Sequence, residues 1–429
     1  MNLPPHLSVR DSHLFIGEHD TVALAEEFGT PLFVTDEERV RARFREYREA
    51  LEGHYDRVRV LYAAKANGNL ALLRVLASEG AGADVFSPGE LELALRAGMD
   101  PDRLLFNGSS KSREDLALAA GHGVRVSLDS LDELRALDAV AGTLGKTTEV
   151  AFRVNPALEI PTHPKIATGL ASSKFGIPHA EVKEAYAAVL ACEHVRPVGL
   201  HCHIGSQILA LEPFVEAARV MIRLAGEVAD LGARLEFVDL GGGLGIPYRR
   251  GDESAPSPRE YADAVMPVFV AGVEALGIHP ALWVEPGRSI VADSTVLLTR
   301  VNSTKAAHRR FINVDAGFNH LIRPAMYDAY HEVVVANRAD ATPVGPATVA
   351  GPICESGDIL ASDRPLPDVG EGDLVAVLDA GAYGFSMSSQ YNSRPRGAEV
   401  LVRGDDRAPM RRAETLEDLV LAQATPPWL

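Results

Sequence analysis

Cysteine is scarce in this chain: Cys192, Cys202 and Cys354 are the only three in 429 residues. An odd number without paired CxxC spacing excludes a disulfide framework and leaves no ligand pattern for a structural zinc site. Lysine is scarce too, at seven of the 42 basic residues, and aromatic residues make up only 6%. No apolar run approaches the roughly 18 to 20 residues that span a bilayer. The opening MNLPPHLSVRDSHLF lacks the basic-then-apolar order of a secretory signal, so a cytoplasmic protein is expected. Positive charge is in deficit. A net charge of −17 argues against a nucleic-acid partner, because phosphate binding needs a basic surface. A small anionic substrate would need a local cluster of Arg or Lys working against the global field.

What is present is the composition of a large globular chain, 46% hydrophobic and 24% charged, long enough for two or three domains. Between about Val58 and Glu285, short β-branched runs alternate with longer helical patterns. Eight strand-like runs stand out, at 58–64, 83–86, 103–106, 124–128, 149–154, 197–203, 235–240 and 281–285. They are apolar on both faces, as parallel strands covered by helices are. Helix starts between them are marked by capping boxes: Ser87, Pro88, Gly89 and Glu90; Ser130 to Glu133; and Thr35 to Glu38. Eight β/α units over about 230 residues predict a (β/α)8 TIM barrel rather than a doubly wound sheet. After Glu285 helical patterns thin out, and strands at about 296–304, 309–316, 346–353, 373–381 and 398–403 alternate with Gly, Pro and Asp turns. The expected organisation is a barrel over 30–285 and a C-terminal β domain over 286–429, joined by N-terminal residues 1–29, with 14–16 as a further strand. There is no internal repeat and no low-complexity linker.

In such barrels function gathers at the C-terminal ends of the strands. The first strand ends in LYAAKANGN, which places Lys65 at the barrel mouth. Desolvation there favours the neutral amine that condenses with an aldehyde; otherwise Lys65 snorkels at a strand end. The sixth ends in GLHCHIGSQ. His201 and His203 can form a metal pair, but no second cluster of His and acidic residues accompanies them, so no metal is expected; a flat imidazole can instead stack on a ring, and a core histidine is the default for His201. The seventh ends in VDLGGGLG, whose glycines allow close backbone approach and present N–H groups to an anion. The eighth ends in VEPGRSI, where Glu285 either holds a pyridine nitrogen protonated or forms a structural pair with Arg288. In the β domain, GPICESGD sets Cys354 beside Glu355, as an acid or as a small buried hydrophobe. Arg323 and Tyr327, four residues apart, share a face if helical and can grip a carboxylate. The stretch 378–396, rich in Gly, Ser and Tyr, reads as a binding loop.

The ordered set YAAKAN, GADVFSPGEL, KFGI, HCHIGSQ, DLGGGLGI, EPGR, LIRPAMYDAYH, CESGD and GAYGFSMSSQYNSRPR spans nearly the whole chain. It strongly resembles the decarboxylases dependent on pyridoxal 5'-phosphate (PLP) that combine an alanine-racemase-like barrel with a β domain (PLP fold type III). Among them it is most similar to those acting on meso-2,6-diaminopimelate. The resemblance implies that Lys65 carries PLP as a Schiff base and His203 stacks on its ring. It implies that Ser206, Gly242, Gly243, Gly287, Arg288 and Tyr383 surround the phosphate and that Glu285 holds the ring nitrogen. Arg288, Arg323, Tyr327 and Tyr383 would meet the substrate, Glu355 would receive its distal ammonium, and Cys354 would return a proton to it. The implied reaction releases CO2 and L-lysine. Cys354 and Glu355 would come from the neighbouring subunit of a head-to-tail homodimer. The chain departs from the family pattern at Phe318 and His320 of the loop Gly317, Phe318, Asn319 and His320, at Pro88 and at Gln390. Decarboxylation of another basic or carrier-bound amino acid, a non-catalytic PLP-binding protein, and a metal-dependent hydrolase built on His201 and His203 are the alternative readings.

Overall fold

The computed structural model describes residues 3–158 and 173–429. Eight parallel strands, Val58–Ala63, Gly82–Val85, Leu104–Phe106, Arg125–Leu128, Thr148–Asn155, Val195–Cys202, Phe237–Asp239 and Ala281–Val284, pair in chain order. The eighth returns to the first through Leu282↔Val58 and Val284↔Val60, which closes the barrel. These are the eight runs read from the sequence, with ends shifted by one or two residues. No helix among the described residues is long and apolar enough to cross a membrane.

The helix caps differ from the expected boxes in an instructive way. Ser87 caps Pro88–Arg96 by accepting from the Glu90 N–H, but the Glu90 carboxylate accepts from Phe86 N at 2.7 Å, one residue before the cap. Ser130 and Glu133 repeat this, with Glu133 Oε2 taking Asp129 N at 2.7 Å. The returning carboxylate therefore fastens the strand-to-helix loop as well as the helix end. The helix Glu37–Glu52 is capped by Asp36, whose Oδ1 accepts from Arg39 N at 2.9 Å, and not by Thr35, whose Oγ1 is paired with Thr295 Oγ1 at 2.8 Å.

Along the barrel axis, side chains two residues apart on one strand point inward in successive layers. The lower layer is apolar: Leu61, Leu105, Ala151, Val198, Phe237 and Trp283 form one buried cluster, with the Phe237 and Trp283 rings stacked at 3.8 Å and 5°. Gly199 makes room for this pair, since a Cβ there would lie 2.3 Å from the Phe237 ring. Two residues beyond Leu105, Ala151, Phe237 and Trp283 come Asn107, Arg153, Asp239 and Glu285, and three beyond Val198, past a register shift at Pro197–Gly199, comes His201; all five are buried. A greasy plug thus floors a polar chamber. That step positions the site.

The chain divides into two compact units: Arg41–Ile246 with Ser254–Ile290, which holds the barrel, and Met1–Val40 with Pro247–Glu253 and Val291–Leu429. The second is built on the long strand Thr295–Ala306, which pairs with Leu32–Asp36, Arg310–Val314 and Leu374–Val377. Leu32–Asp36 also pairs in parallel with Ala398–Arg403, and all five of its residues are buried. Further strands not anticipated include Val333–Val335, Ile359–Leu366 and Asp406–Arg411. The expected strand at 14–16 forms, but in a separate antiparallel sheet of Leu7–Arg10, His13–Ile16 and His19–Asp20. Its Leu14 and Ile16 join the core of Leu32, Val34, Val296 and Leu298.

Candidate active site

The chamber above the apolar plug is a continuous polar network. Lys65 sits in the single turn Ala64–Ala66 that follows the first strand, and its Nζ meets Asp84 Oδ2 at 2.5 Å with the Phe86 ring 4.5 Å away. Asp84 Oδ1 accepts from Asn107 Nδ2, which also donates to Glu285 Oε1 at 3.0 Å. On the far side of Glu285, His201 Nε2 lies 3.4 Å from Oε2, while His201 Nδ1 meets Ser127 Oγ at 2.8 Å. One amine is thus linked through two carboxylates and an amide to a buried imidazole.

Three carboxylates buried together cannot all ionise freely. Burial, and then the charge of Glu285, push Asp239 well above the usual range, although Gly241 N donates to its Oδ1 at 2.8 Å. Asp84 is raised for the same reasons, with Lys65 opposing. Burial pushes Glu285 upward as well, but His201, Lys65 and His203 outweigh it and hold that carboxyl low. Between Asp239 and Glu285 the proton rests on Asp239, because Glu285 is the one facing the cations. The chamber therefore presents an ionised carboxylate at its centre. His201, Asp239 and Glu285 bring possible metal-ligand atoms within 4.8 Å of one another. The sequence shows no such acidic cluster beside the HxH pair because the three residues sit on three different strands.

At the rim, the Gly241 to Gly243 turn packs against backbone. A Cβ at Gly242 would lie 2.0 Å from Glu285 O, and one at Gly243, where φ is 121°, would lie 2.4 Å from Gly205 O. Gly287 likewise faces Ala63 and Ala66, 3.0 and 3.1 Å from where its Cβ would be. Gly242 N donates to His203 Nδ1 at 3.1 Å, which leaves Nε2 as the protonated position of the neutral ring. Burial, then the charges of Lys65 and Arg153, lower His203 well below its ordinary pKa. Arg288 Nη2 donates to Ser206 Oγ at 2.9 Å. Lys65, His203, Ser206, Gly242, Gly243, Glu285, Gly287 and Arg288 thus all lie at the C-terminal ends of barrel strands.

The remaining candidate residues lie in the β unit. Arg323 opens the short helix Arg323–Tyr327, and half-buried Tyr327 closes it. Arg323 is buried, with its guanidinium 4.5 Å over the Tyr248 ring, and Nη1 donates to His331 Nε2 at 2.7 Å. His331 Nδ1 in turn donates to Leu378 O at 2.8 Å, which fixes that tautomer. Cys354 and Glu355 are exposed, on the irregular segment 351–358. Tyr391 Oη donates to Glu355 Oε1 at 2.7 Å, and Asn392 contacts Cys354. Tyr383 has a left-handed backbone with φ 59°. His320 is buried beside Asn319 Oδ1 at 3.1 Å, and burial lowers its pKa to about 4. Gln390 reaches Glu414 Oε2 at 3.0 Å, and Phe318 stacks on Tyr391 at 5.8 Å.

Sequence reasoning passed over Asp84, Asn107, Ser127, Arg153 and Asp239 in the barrel, and Asp358, Tyr391 and Asn392 in the β unit. In the first group only Asn107, Arg153 and Asp239 lie two positions beyond a residue of the apolar plug, a step too common along strands to single them out, and Asp84 and Ser127, two beyond Gly82 and Arg125, lack even that. In the second, Tyr391 and Asn392 lie in the stretch 378–396 read as a binding loop and Asp358 ends CESGD, but no individual role was legible because their contacts join loops far apart in the chain.

An amine, an ionised carboxylate and a glycine cradle at the rim of a closed (β/α)8 barrel define a class of enzymes that act through a bound aldehyde cofactor. Residues 37–292 match the family described as pyridoxal-dependent decarboxylase, pyridoxal binding domain, and the chain belongs to that family. It is 53% identical to the diaminopimelate decarboxylase of Archaeoglobus fulgidus over 98% of this chain and 99% of that one. Among solved structures, it is similar to diaminopimelate decarboxylase from M. jannaschii in co-complex with L-lysine (TM-score 0.94, 38% identity, 99% of each chain). It is also similar to a mutant of SrLDC in complex with PLP, with a TM-score of 0.77 and 26% identity over 91% of this chain and 96% of that one.

Proposed function

We propose that this chain decarboxylates meso-2,6-diaminopimelate to L-lysine with PLP held in the barrel mouth. The observation that carries the reading is the chain of contacts from Lys65 through Asp84 and Asn107 to Glu285, beside a turn in which a Cβ at Gly242 or Gly243 would strike backbone. A phosphorylated pyridine aldehyde needs that donor set: an amine, an anion for the ring nitrogen and a close-approach cradle for the phosphate. When bound, PLP supplies an aldehyde that takes up the substrate amine and a ring that accepts the electron pair left when CO2 departs.

The protein's own groups do the rest. Lys65 Nζ is the amine that would hold the cofactor. His203, kept neutral by burial, offers a flat face to the ring without competing for its charge. Glu285, held ionised, keeps the ring nitrogen protonated. Gly242, Gly243, Gly287, Ser206, Arg288 and Tyr383 are the residues that would hold the phosphate. A substrate with a second amino-acid terminus needs a cation and an anion for its far end; Arg288, Arg323, Tyr327 and Tyr383 meet its carboxylate groups and Glu355 its distal ammonium. The Cys354 thiol gives its proton to Cα after the bond to CO2 has broken. Cys354 and Glu355 serve the barrel of a neighbouring subunit, so the active assembly is a homodimer and the protein works in the cytoplasm.

The test is CO2 release and lysine formation from meso-diaminopimelate with added PLP, beside lysine, ornithine and arginine as competing substrates. Lys65→Ala is expected to abolish both product formation and the visible absorption of the purified holoenzyme. Turnover of ornithine or arginine with none of diaminopimelate would transfer the substrate assignment to another basic amino acid. A wild-type spectrum in Lys65→Ala would remove the amine from its role.

A further inference from the structure

We propose that Asn392, assisted by Tyr391, is a positioning residue that holds the Cys354 thiol in one orientation for proton delivery. The proposal rests on the reading that Cys354 is the proton donor. Asn392 grips that cysteine at two points: its Oδ1 accepts from Cys354 N at 2.9 Å, and its Nδ2 donates to Cys354 Sγ at 3.1 Å. One amide thus ties the cysteine's main chain to its side chain, selecting a single χ1 among the three staggered wells. Cys354 needs this help because it is exposed, on a segment without regular structure. The clasp depends on a left-handed backbone at Asn392, φ 57° and ψ 26°, which Asn tolerates better than most residues.

Tyr391 sets the other side of the sulfur. Its hydroxyl spends its proton on Glu355 Oε1 at 2.7 Å, so its oxygen faces Cys354 Sγ, 3.9 Å away, as an acceptor. The sulfur therefore receives an N–H from Asn392 and points its own proton toward Tyr391. The cluster is anchored from below by one buried carboxylate: Asp358 accepts from Phe318 N at 2.6 Å and from Ile353 N at 2.7 Å. Phe318 stacks in turn on Tyr391, at 5.8 Å and 12°. Phe318, Glu355, Gly357, Ser389 and Tyr391 line an open depression of about 640 Å³, which gives a substrate access to the cluster.

In the step itself the Cys354 S–H bond breaks and its proton forms the new Cα–H bond with the electron pair released by decarboxylation. The sulfur is left as a thiolate, stabilised by the Asn392 N–H until a proton from water restores the thiol.

The test compares wild-type holoenzyme with Asn392→Asp, which keeps the size and the acceptor for Cys354 N but turns a carboxylate oxygen toward the sulfur. Alkylation of Cys354 by iodoacetamide is followed by peptide mass spectrometry without substrate. Losing one charge-assisted hydrogen bond is expected to slow alkylation at least ~10-fold. In steady state kcat should fall by a similar factor with KM within about twofold, since nothing that binds the substrate's far end is removed. Tyr391→Phe, which keeps the stacked ring but removes the acceptor facing the Cys354 thiol, should raise KM through the loosened Glu355 and lower kcat by less than Asn392→Asp does. It should not slow alkylation, since the N–H that stabilises the thiolate stays. Alkylation of Asn392→Asp at the wild-type rate would overturn the proposal. Slowed alkylation with unchanged kcat would keep the clasp and sink Cys354 as proton donor. If Asn392→Asp does not fold, Asn392→Gly, which accepts φ 57° without strain, is read by the same split of kcat against KM, and an unchanged kcat overturns the proposal.

Discussion

Replacing Gly242 by alanine tests how the barrel mouth is built. The backbone of Gly242 is not left-handed, so alanine is not strained there by conformation. The obstacle is space. The new methyl would start 2.0 Å from Glu285 O and 2.8 Å from Glu285 C, both main-chain atoms that cannot rotate away. Real contacts of this kind begin near 3.0 Å, so the glycine turn and the end of the eighth strand must separate by at least about 1 Å. Two groups move with them. Gly242 N donates to His203 Nδ1 at 3.1 Å, a bond that does not survive an added ångström, and Glu285 N is held by Gly241 O at 2.9 Å.

Overpacking of this size costs about 1–3 kcal/mol of stability. Each lost hydrogen bond to a charged phosphate would weaken cofactor binding by about 1.5–3 kcal/mol, or roughly 10- to 100-fold in affinity. The expected outcome is a folded protein whose PLP affinity, measured by titrating visible absorption, falls by one to two orders of magnitude. Gly277→Ala is the control, since Gly277 caps a helix at φ 65° with nothing within 4 Å of the added carbon. It should lower the melting temperature and leave PLP affinity alone. Wild-type affinity in Gly242→Ala would mean that the turn does not hold the cofactor. A comparable affinity loss in both variants would mean that the effect is general destabilisation.

Two further outcomes follow from buried groups in the β unit. Burial lowers His320 to about 4 from an ordinary 6.5, so below pH 6.5 the unfolded chain binds a proton that the native state refuses. Native stability should therefore fall as pH drops, by about 2 kcal/mol between pH 6.5 and 5 from this residue alone. His6, lowered to about 4, adds to the loss, while Asp379, raised to about 6 by burial, opposes it. Urea unfolding of wild type and His320→Gln at both pH values isolates the single contribution, and parallel losses would refute it. Arg323→Lys trades a fork that stacks on Tyr248 and binds His331 for a point charge. KM for diaminopimelate is expected to rise about 10- to 100-fold with kcat little changed; an unchanged KM would remove Arg323 from substrate binding.

The barrel was legible in the sequence because its strands are buried on both faces and read as short unbroken apolar runs. Leu32–Asp36 was not, although it is just as buried. Its partners lie about 260 and 370 residues away, and its last residue, Asp36, doubles as a helix cap, so the local pattern announces the helix alone. Ile359–Leu366 was hidden by Ser362, Asp363 and Arg364, which face outward and break the apolar run. The same contrast governs the site. Lys65 and Glu285 stood out because each follows directly on an apolar strand. Asn107, Arg153 and Asp239 follow by the same two-residue step and read as ordinary strand ends, because a lone polar residue after an apolar run is the common way for any strand to finish. Only closure of the barrel distinguishes the cases: it turns those eight strand ends inward, where an unpaired charge or amide is costly. Where local preference for an apolar interior is violated on several strands at one height, the violations must satisfy one another or a ligand. Here Asp84, Asn107, Glu285, His201 and Ser127 do so among themselves, and the amine of Lys65 stands at the end of that chain, where a cofactor can reach it.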